Sequence, residues 1–474
     1  MMTEQHFFHL LTSEFPYQIT DSQQELIQLL SRFIINNDKS IFLLKGYAGT
    51  GKTTIISHLV DNLWKAKLKY TLLAPTGRAA KVMGAYAKKP AYTIHKHLYY
   101  PKTDTFGKPK FTLRQNKQRN TVFVVDEASM ISGQNTGDNL FDTQSLLADL
   151  IQFVYSQPGN KLILAGDTAQ LPPVGLPVSP ALNAGYLMQN FDMAVQEYEL
   201  KEVVRQSLHS GILFNATKIR QELQQDIVDE IKFNTAGFDD FIRLNDGYEI
   251  QDAIETAYSG QAFEDTAIIV RSNKRANMYN QQIRSKILLK DNELDTGDYL
   301  MVVKNNYFWL DKYSKAGFIA NGDIVEVLEI YRFIDLYGFR FAEVKLRMVD
   351  YPDEKPFETM VLLDTLNMDT PSLSYEQSNR LYLAVNEDYA HLKTKWARYK
   401  KVKENKYFNA LQVKFAYALT AHKSQGGQWK NVFVEQPYQL DLQDKEQLRW
   451  LYTAFTRAQK KLYLIGFQSR FFIE

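Results

Sequence analysis

One glycine-rich stretch carries the residue types that bind a triphosphate. It reads Gly46-Tyr47-Ala48-Gly49-Thr50-Gly51-Lys52-Thr53-Thr54, a complete G-x-x-x-x-G-K-T pattern that follows the apolar run 42–44. Backbone N–H groups of such a loop converge on one concavity, and a following helix adds the positive end of its dipole. Lys52 would reach the β- and γ-phosphates, and the Thr53 hydroxyl would bind Mg²⁺. The alternative is a Gly-rich turn that matches by chance. The predicted nucleotide-binding residues of the loop are Gly46, Ala48, Gly49, Thr50, Gly51, Lys52, Thr53 and Thr54.

Two further polar clusters follow apolar runs. Asp126 and Glu127 follow the run 122–125, and Gln170 comes shortly after the run 162–165. Asp126 would hold the Mg²⁺ shell, Glu127 would orient or deprotonate an attacking water, and Gln170 would sense the γ-phosphate. For the acidic pair alone, preference for a helix N-terminus is an alternative explanation.

The elements that position these residues alternate between short apolar runs and amphipathic segments. The runs are 41–44, 70–74, 122–125 and 162–165, and the amphipathic segments include 23–35 and 146–155. This is the βαβ pattern of a parallel sheet, so we predict an α/β fold. The polar clusters then meet at the carboxyl edge of the sheet, where ligands of open parallel sheets bind.

Length and composition limit the class of protein. The chain has 474 residues, 45% hydrophobic and 23% charged, which predicts three or four globular units rather than disorder. It has no cysteine, which excludes disulfides and thiolate metal sites. No run of 18 apolar residues occurs, so we predict a cytoplasmic protein without membrane contact.

The net charge of +2 is unevenly distributed along the chain. Residues 88–119 hold nine Lys/Arg against one acid, and residues 393–406 hold seven against one. Such basic islands favour a polyanion as partner, although solvated faces of ordinary helices are an equal alternative for either island alone.

A second alternating unit follows the first, with its halves far apart in sequence. Strand-like runs at 266–270, 432–435 and 462–466 enclose runs at 300–303, 324–330 and 341–349 that are separated by turn residues. We predict a small antiparallel unit inserted in a second domain. The tract 375–406 is helical and basic.

These motifs together resemble those of superfamily 1 helicases. The resemblance includes the segment 165–175 around Gln170, the segment 200–206 and the segment 451–458. It implies that Arg205 and Arg457 reach the nucleotide from the second domain, so that hydrolysis depends on domain closure. A surface salt bridge is the alternative for either arginine alone. The implied catalytic residues are Lys52, Glu127, Gln170, Arg205 and Arg457.

The resemblance extends to nucleotide and strand contacts. Residues 19–23 resemble the motif whose Gln reads adenine, which implies this role for Gln23, although a place in a capped helix start is the alternative. Gly426 joins the predicted nucleotide site. The implied DNA-binding residues are Pro75, Thr76, Gly77, Arg78, Thr93, His95, Thr420, His422, Lys423 and Ser424.

The inserted unit distinguishes the branch of the superfamily. Residues 297–307 and 321–325 resemble the SH3-like barrel of RecD-like, Pif-like and Dda-like helicases, that is, superfamily 1B, which implies 5′-to-3′ movement on single-stranded DNA. Two RecA-like parallel-sheet domains are then expected, at 1–200 and at 201–295 with 408–474. The barrel and its basic helical extension would occupy 296–407. By position, residues 98–118 resemble a strand-separating wedge with Phe106 or Phe111 near its tip; an ordinary basic loop is the alternative.

The resulting prediction is an ATP- and Mg²⁺-dependent DNA helicase that acts on single-stranded and forked duplex DNA. We expect a monomer, with repair or replication proteins as candidate partners. A P-loop kinase or GTPase and an ATP-gated nucleic-acid-binding subunit are the rival predictions, and RNA is an alternative track.

Overall fold

A computed structural model describes residues 2–36, 38–103, 109–133, 145–202, 209–228, 231–258, 263–310, 314, 316 and 318–473. The strands are β1 Ser40–Gly46, β2 Lys69–Ala74, β3 Ala91–Thr93, β4 Tyr99–Thr103, β5 Pro109–Leu113, β6 Thr121–Val125, β7 Lys161–Gly166, β8 Ala194–Leu200, β9 Phe241–Leu244, β10 Thr266–Val270, β11 Tyr299–Val302, β12 Ile324–Leu336, β13 Phe339–Met348, β14 Phe357–Leu362, β15 Leu411–Phe415, β16 Ala418–Thr420, β17 Trp429–Glu435 and β18 Ala458–Ile465. The helices are α1 Glu4–Ser13, α2 Asp21–Ile35, α3 Lys52–Asn62, α4 Gly77–Ala87, α5 Ile94–Leu98, α6 Leu146–Tyr155, α7 Ala184–Phe191, α8 Gly211–Leu223, α9 Gly247–Tyr258, α10 Asn273–Gln282, α11 Tyr375–Glu387, α12 Lys395–Lys403, α13 Ala421–Ser424 and α14 Lys445–Phe455.

The first domain is built on a parallel sheet with the order β3-β2-β6-β7-β1-β8. Successive side chains of β1 point to opposite faces, so Phe42 and Leu44 join one core while Ile41 and Leu43 join the other. Both faces are covered, which explains why the central strands are continuously apolar. The α/β prediction for this part of the chain is confirmed.

A two-stranded antiparallel hairpin, β4 paired with β5, is inserted in the first domain. The predicted hairpin insertion is therefore confirmed. Its tip, including Phe106, and the side chain of Phe111 lie outside the described residues, so the wedge role stays a prediction.

The second domain has a parallel sheet in the order β16-β10-β17-β18-β9. The sequence pattern indicated β10, β17 and β18 but not β9 or β16, which are four and three residues long. Such short strands lack enough periodicity to be recognised.

The inserted unit is a closed barrel of β11, β12, β13, β14 and β15. This confirms the predicted barrel. Its closing strand, β15 at Leu411–Phe415, lies beyond the predicted limit at 407. Helices α11 and α12 pack on the outer part of the β12–β13 hairpin, where Leu381, Val385 and Val402 bury against Phe339 and Phe341.

A buried ion pair joins the second domain to the barrel. Arg284, just after α10, donates to both carboxylate oxygens of Asp298, at 3.1 and 2.9 Å. Asp298 also accepts from Lys290 at 3.1 Å and from the Tyr417 hydroxyl at 3.0 Å. Asp298 immediately precedes β11, so these contacts fix where the barrel begins.

Removal of the Arg284 side chain is expected to loosen this joint, because Asp298 would stay buried without its main partner. Arg284→Ala should lower the free energy of unfolding by about 3–5 kcal/mol. Chemical denaturation followed by circular dichroism measures the loss. Arg332→Ala is the matched control, since Arg332 pairs with Glu343 while 61% exposed, and it should cost about 0–1 kcal/mol. Equal losses would contradict the structural role of Arg284.

Candidate nucleotide cleft and nucleic-acid surface

The phosphate loop connects β1 to α3, as its sequence predicts. Gly51 precedes α3 with φ of 83°, a left-handed conformation that favours glycine. The loop is braced internally, because the Thr50 hydroxyl donates to the Tyr47 carbonyl at 2.8 Å. The Lys52 ammonium donates to the Gly46 carbonyl at 3.2 Å, which holds the lysine over the loop.

The acidic pair lies directly after β6. Glu127 has φ of 54°, a conformation rarely adopted by a non-glycine residue, and its N–H donates to Asp126 Oδ1 at 2.9 Å. Burial raises the pKa of Glu127, while Arg457 and Lys52 oppose the shift. Glu127 Oε2 is buried and makes no hydrogen bond within the described structure. An acceptor of this kind is arranged for a partner that enters the cleft.

The loop after β7 is held by the second domain. Leu171 N–H donates to the Thr453 hydroxyl at 2.9 Å, and the Gln425 amide donates to the Leu171 carbonyl at 2.7 Å. Gln170 Oε1, in the same loop, is buried and without a hydrogen-bond partner among the described residues.

Arg457, two residues beyond α14, enters the cleft from the second domain. Its guanidinium donates to the carbonyls of Thr453 and Gly427, at 3.0 and 3.3 Å. Its Nη1 lies 3.9 Å from Glu127 Oε1. Arg205, the other arginine predicted for this role, lies outside the described residues.

These parts line one cleft of about 600 Å³ between the two domains. The first domain supplies the phosphate loop with Asp126, Glu127 and Gln170, and the second domain supplies Gly426, Lys460 and Arg457. Gly426 leaves little room on that side, because a Cβ there would lie 2.7 Å from the Ala79 Cβ. Most of the predicted nucleotide-site residues that the structure describes line this cleft. Gly46 and Thr50 belong to the loop without lining the cleft, and Gln23 lies apart from it.

Gln23 has a different environment. Its amide accepts from the Thr20 N–H at 3.2 Å and donates to the Thr50 carbonyl at 3.1 Å. Thr20 also caps α2 through the Gln23 N–H, which completes a capping box. The side chain is only 4% exposed, so it braces the phosphate loop, and contact with adenine stays a prediction.

The donor set fits Mg²⁺. The Thr53 hydroxyl and the Asp126 carboxylate are the oxygen ligands that this cation prefers, and both line the cleft beside Lys52. Two buried acceptors without hydrogen-bond partners among the described residues, Glu127 Oε2 and Gln170 Oε1, belong to residues that line the same cleft.

Two residues at the cleft were not predicted from sequence. Asp167 directly follows β7 and lines the cleft, Tyr452 is buried behind it in α14, and their side chains hydrogen-bond at 2.7 Å. Both stood in recognised motifs, but motif matching does not tell which side chains of a motif meet across a cleft.

The predicted DNA-binding residues occupy helix starts and a domain boundary. The hydroxyls of Thr76 and Thr93 cap α4 and α5. Arg78 stacks on Trp429 of the second domain, 4.1 Å from the ring centre. Burial lowers the pKa of His95 to about 4, and burial also lowers the pKa of His422.

The predicted DNA-binding residues that follow β16 differ in their burial and hydrogen bonding. Thr420 precedes α13 without a side-chain capping bond. Burial lowers the pKa of Lys423 to about 8, with Lys414 adding to the shift. Ser424 is 0% exposed, and its hydroxyl donates to the Ala421 carbonyl, so in this conformation it holds the turn. Its predicted contact with DNA stays a prediction.

Comparison with known proteins identifies the family. An AAA domain matches residues 18–234, and a UvrD-like helicase C-terminal domain matches residues 415–465. The ATP-dependent DNA helicase Dda of phage T4 is 22% identical over 94% of this chain and 99% of its own length. The ATP-dependent RecD2 DNA helicase of Deinococcus radiodurans is 32% identical over 36% of this chain and 21% of its own length. Together these matches support a superfamily 1B helicase of the RecD, Pif and Dda type.

The length of the relatives varies widely. An uncharacterised protein of Methanocaldococcus jannaschii is 26% identical over 94% of this chain, and the chain spans only 38% of that protein. A structure of Bacteroides Pif1 bound to single-stranded DNA is 14% identical and covers 97% of this chain and 95% of its own, with a TM-score of 0.46. In the described part of this family member, no helix is long and apolar enough to cross a membrane.

The barrel of this family member covers the N-terminal turn of α4. A Cβ at Gly77 would lie 2.7 Å from Asp323 Oδ1 and 3.1 Å from the Tyr351 hydroxyl. Lys81 donates to the Val349 carbonyl at 3.1 Å and lies 3.9 Å from Asp350. The predicted DNA-binding segment 75–78 therefore faces two acidic residues of the barrel.

Asp323 should make stability depend on pH. Burial raises the pKa of Asp323 to about 8, with Asp350 adding to the shift and Lys96 opposing it. The folded chain then keeps a proton that the unfolded chain releases near pH 4, so the free energy of unfolding falls as pH rises from about 4 to 8. Asp323→Asn should weaken this dependence, measured as the thermal midpoint at pH 6 and pH 8. Asp335→Asn, on the exposed β12–β13 hairpin, is the control. Identical pH slopes for wild type and Asp323→Asn would contradict the prediction.

Proposed function

We propose that the chain is an ATP-dependent DNA helicase that moves 5′ to 3′ along single-stranded DNA and unwinds duplex DNA as its two parallel-sheet domains close and reopen. The observation that carries the proposal is the shared cleft, in which the phosphate loop and Arg457 line opposite walls. A nucleotide held between two domains can change their separation, which is the mechanical step that a motor requires.

The chain's own residues supply the hydrolytic chemistry of this proposal. Lys52 binds the β- and γ-phosphates, and Arg457 stabilises the charge that spreads over the transferred phosphoryl group. Glu127 accepts the proton of the attacking water. Burial raises the pKa of Glu127, and Arg457 and Lys52 oppose that shift, so these two cations favour the ionised form that a base needs.

The Thr53 hydroxyl and the Asp126 carboxylate would hold Mg²⁺, which would supply positive charge to offset that of the phosphates. The buried Oε1 of Gln170 has no hydrogen-bond partner among the described residues, and Gln170 would sense the γ-phosphate. The second domain holds the same loop through Leu171, so this contact would be transmitted to that domain.

The nucleic-acid part of the proposal rests on the family and on charge. Dda and RecD2 are DNA helicases by name, and the barrel insertion resembles that of the 5′-to-3′ branch. The segment 75–78 packs against residues 426–429 of the other domain, so a strand gripped there would feel domain movement. Contacts to the sugar-phosphate backbone predict weak sequence preference and strong salt dependence.

A second candidate is an ATP-gated nucleic-acid-binding subunit of a recombination or repair complex. One relative favours it, because the RecD subunit of the RecBCD enzyme from Buchnera aphidicola is 23% identical over 96% of this chain and 73% of its own length. Such a subunit would hydrolyse ATP on DNA without unwinding a fork on its own.

Unwinding of tailed duplexes distinguishes these proposals. We expect ATP hydrolysis to be stimulated by single-stranded DNA, and a duplex with a 5′ tail to be unwound in preference to the same duplex with a 3′ tail. Strand separation is followed by fluorescence, with non-hydrolysable ATP analogue as control. Stimulated hydrolysis without unwinding would favour the subunit, and hydrolysis indifferent to DNA would reject both.

Two substitutions in the cleft test the assigned chemistry. Lys52→Ala should lower ATP turnover by about 100- to 1,000-fold, because a charge that stabilises the transition state is lost. Glu127→Gln should keep nucleotide binding and lose turnover to a similar degree. Turnover is measured by phosphate release and binding with a fluorescent ATP analogue. Lys65→Ala, which removes a surface partner of Glu14 outside the cleft, should leave both unchanged. An active Glu127→Gln variant would remove Glu127 from the role of base.

A further inference from the structure

The Tyr452 hydroxyl makes two hydrogen bonds across the domain boundary. Tyr452 belongs to α14 of the second domain and is 1% exposed. It donates to Asp167 Oδ2 at 2.7 Å and accepts from the Ala48 N–H at 3.0 Å. Both partners belong to the first domain, and Ala48 lies in the phosphate loop itself. One side chain thus connects the loop, the end of β7 and the opposite domain.

Burial keeps the Tyr452 hydroxyl protonated, and this sets which atom donates in its bond to Asp167. Burial raises the pKa of Tyr452 well above its usual value, so the phenol remains a proton donor. Burial also raises the pKa of Asp167, whereas Lys52 and the bond from Tyr452 favour its ionised form. The Ala169 N–H donates to the other oxygen of Asp167 at 2.9 Å. The hydroxyl therefore helps to keep a buried carboxylate charged beside the phosphate loop.

Arg457 follows the end of α14 by two residues, and Tyr452 lies in the last turn of that helix. Arg457 and Glu127 are 3.9 Å apart, which is beyond hydrogen-bond distance, so this pair does not fix the helix. Three residues of α14 make closer polar contacts with the first domain. Arg449 donates to the Thr168 carbonyl, Tyr452 bonds Asp167 and Ala48, and the Thr453 hydroxyl accepts from the Leu171 N–H at 2.9 Å. The place of Arg457 in the cleft thus depends on contacts one turn earlier in the chain.

We infer that Tyr452 is a positioning residue. Its two hydrogen bonds fix α14 relative to the phosphate loop and thereby set the position of Arg457 when the cleft closes. The inference rests on the proposed ATP hydrolysis. Because the Ala48 N–H is bound to Tyr452, a phosphate that reshapes the loop acts on α14 directly. A change in the loop is then transmitted to α14 through the Tyr452 hydroxyl, beside a separate bond from the Gln224 amide of the second domain to the Tyr47 hydroxyl at 2.7 Å.

Tyr452→Phe tests this role, because it keeps the ring and removes both hydrogen bonds. With single-stranded DNA present, kcat should fall by about 10- to 100-fold, in line with the loss of a hydrogen bond to a charged group. KM for ATP should stay within about threefold, since Lys52 and the loop backbone still bind the phosphates. The split between kcat and KM is a readout that mere loss of stability does not produce.

Tyr258→Phe is the matched control. The Tyr258 hydroxyl is buried in the core of the second domain and donates to the Tyr417 carbonyl at 3.2 Å, away from the cleft. Its removal should lower the thermal midpoint about as much as Tyr452→Phe does, while kcat and its stimulation by DNA remain those of the wild type.

Asp167→Asn supplies a second measurement. If Tyr452 acts through Asp167, this variant should show the same fall in kcat at unchanged KM, and adding Tyr452→Phe should cost much less than the product of the single effects. The Asp167→Asn variant also tests the inference if Tyr452→Phe does not fold.

Wild-type kcat in Tyr452→Phe, or fully multiplicative effects in the double variant, would overturn the inference. Wild-type protein whose ATP hydrolysis ignores DNA would instead overturn the proposed function, so the two failures are distinguishable.

Discussion

The carboxyl ends of a parallel sheet open onto a cleft that a second parallel-sheet domain closes, and the other features depend on this arrangement. β1 leads into the phosphate loop, β6 into the acidic pair and β7 into the loop with Gln170, so three sequence-distant segments leave one edge. The second domain contributes Arg457 to the opposite wall. Neither domain therefore lines the cleft alone, and the proposed chemistry needs groups from both.

Burial makes the cleft sensitive to charge. The pKa values of Glu127 and Asp167 are raised by burial and lowered by nearby Lys52 and Arg457. Interactions between charges are strengthened where water is excluded. Backbone carbonyls accept hydrogen bonds from both cations, since Lys52 donates to Gly46 and Arg457 donates to Thr453 and Gly427.

The barrel connects the second domain to the predicted DNA-binding surface of the first. It is tied to the second domain through Arg284 and Asp298, and it touches the first domain at the start of α4 through Asp323 and Tyr351. A movement of the second domain relative to the first therefore also changes the contact at the segment 75–78. The cleft and the predicted DNA-binding segment are thus connected by covalent continuity and by packing.

Prediction from sequence worked where the signal is local. The phosphate loop, the acidic pair and the apolar runs of β1, β6 and β7 each depend on residues within a short window, and their type and order are confirmed. The closing strand β15 lay outside the predicted barrel, because β14 and β15 pair across 48 intervening residues and no local pattern specifies the partner.

The sequence by itself determined the chemistry available to this protein: a loop for phosphate, carboxylates at strand ends, and arginines and hydroxyls for a polyanion. Only the tertiary structure decided which groups meet. Gln23 proved to brace the phosphate loop, and Tyr452 proved to bond Asp167, a residue 285 positions away. The reason is physical, since spacing along the chain specifies a side chain's local element, whereas its hydrogen-bond partner depends on how two separately formed domains pack.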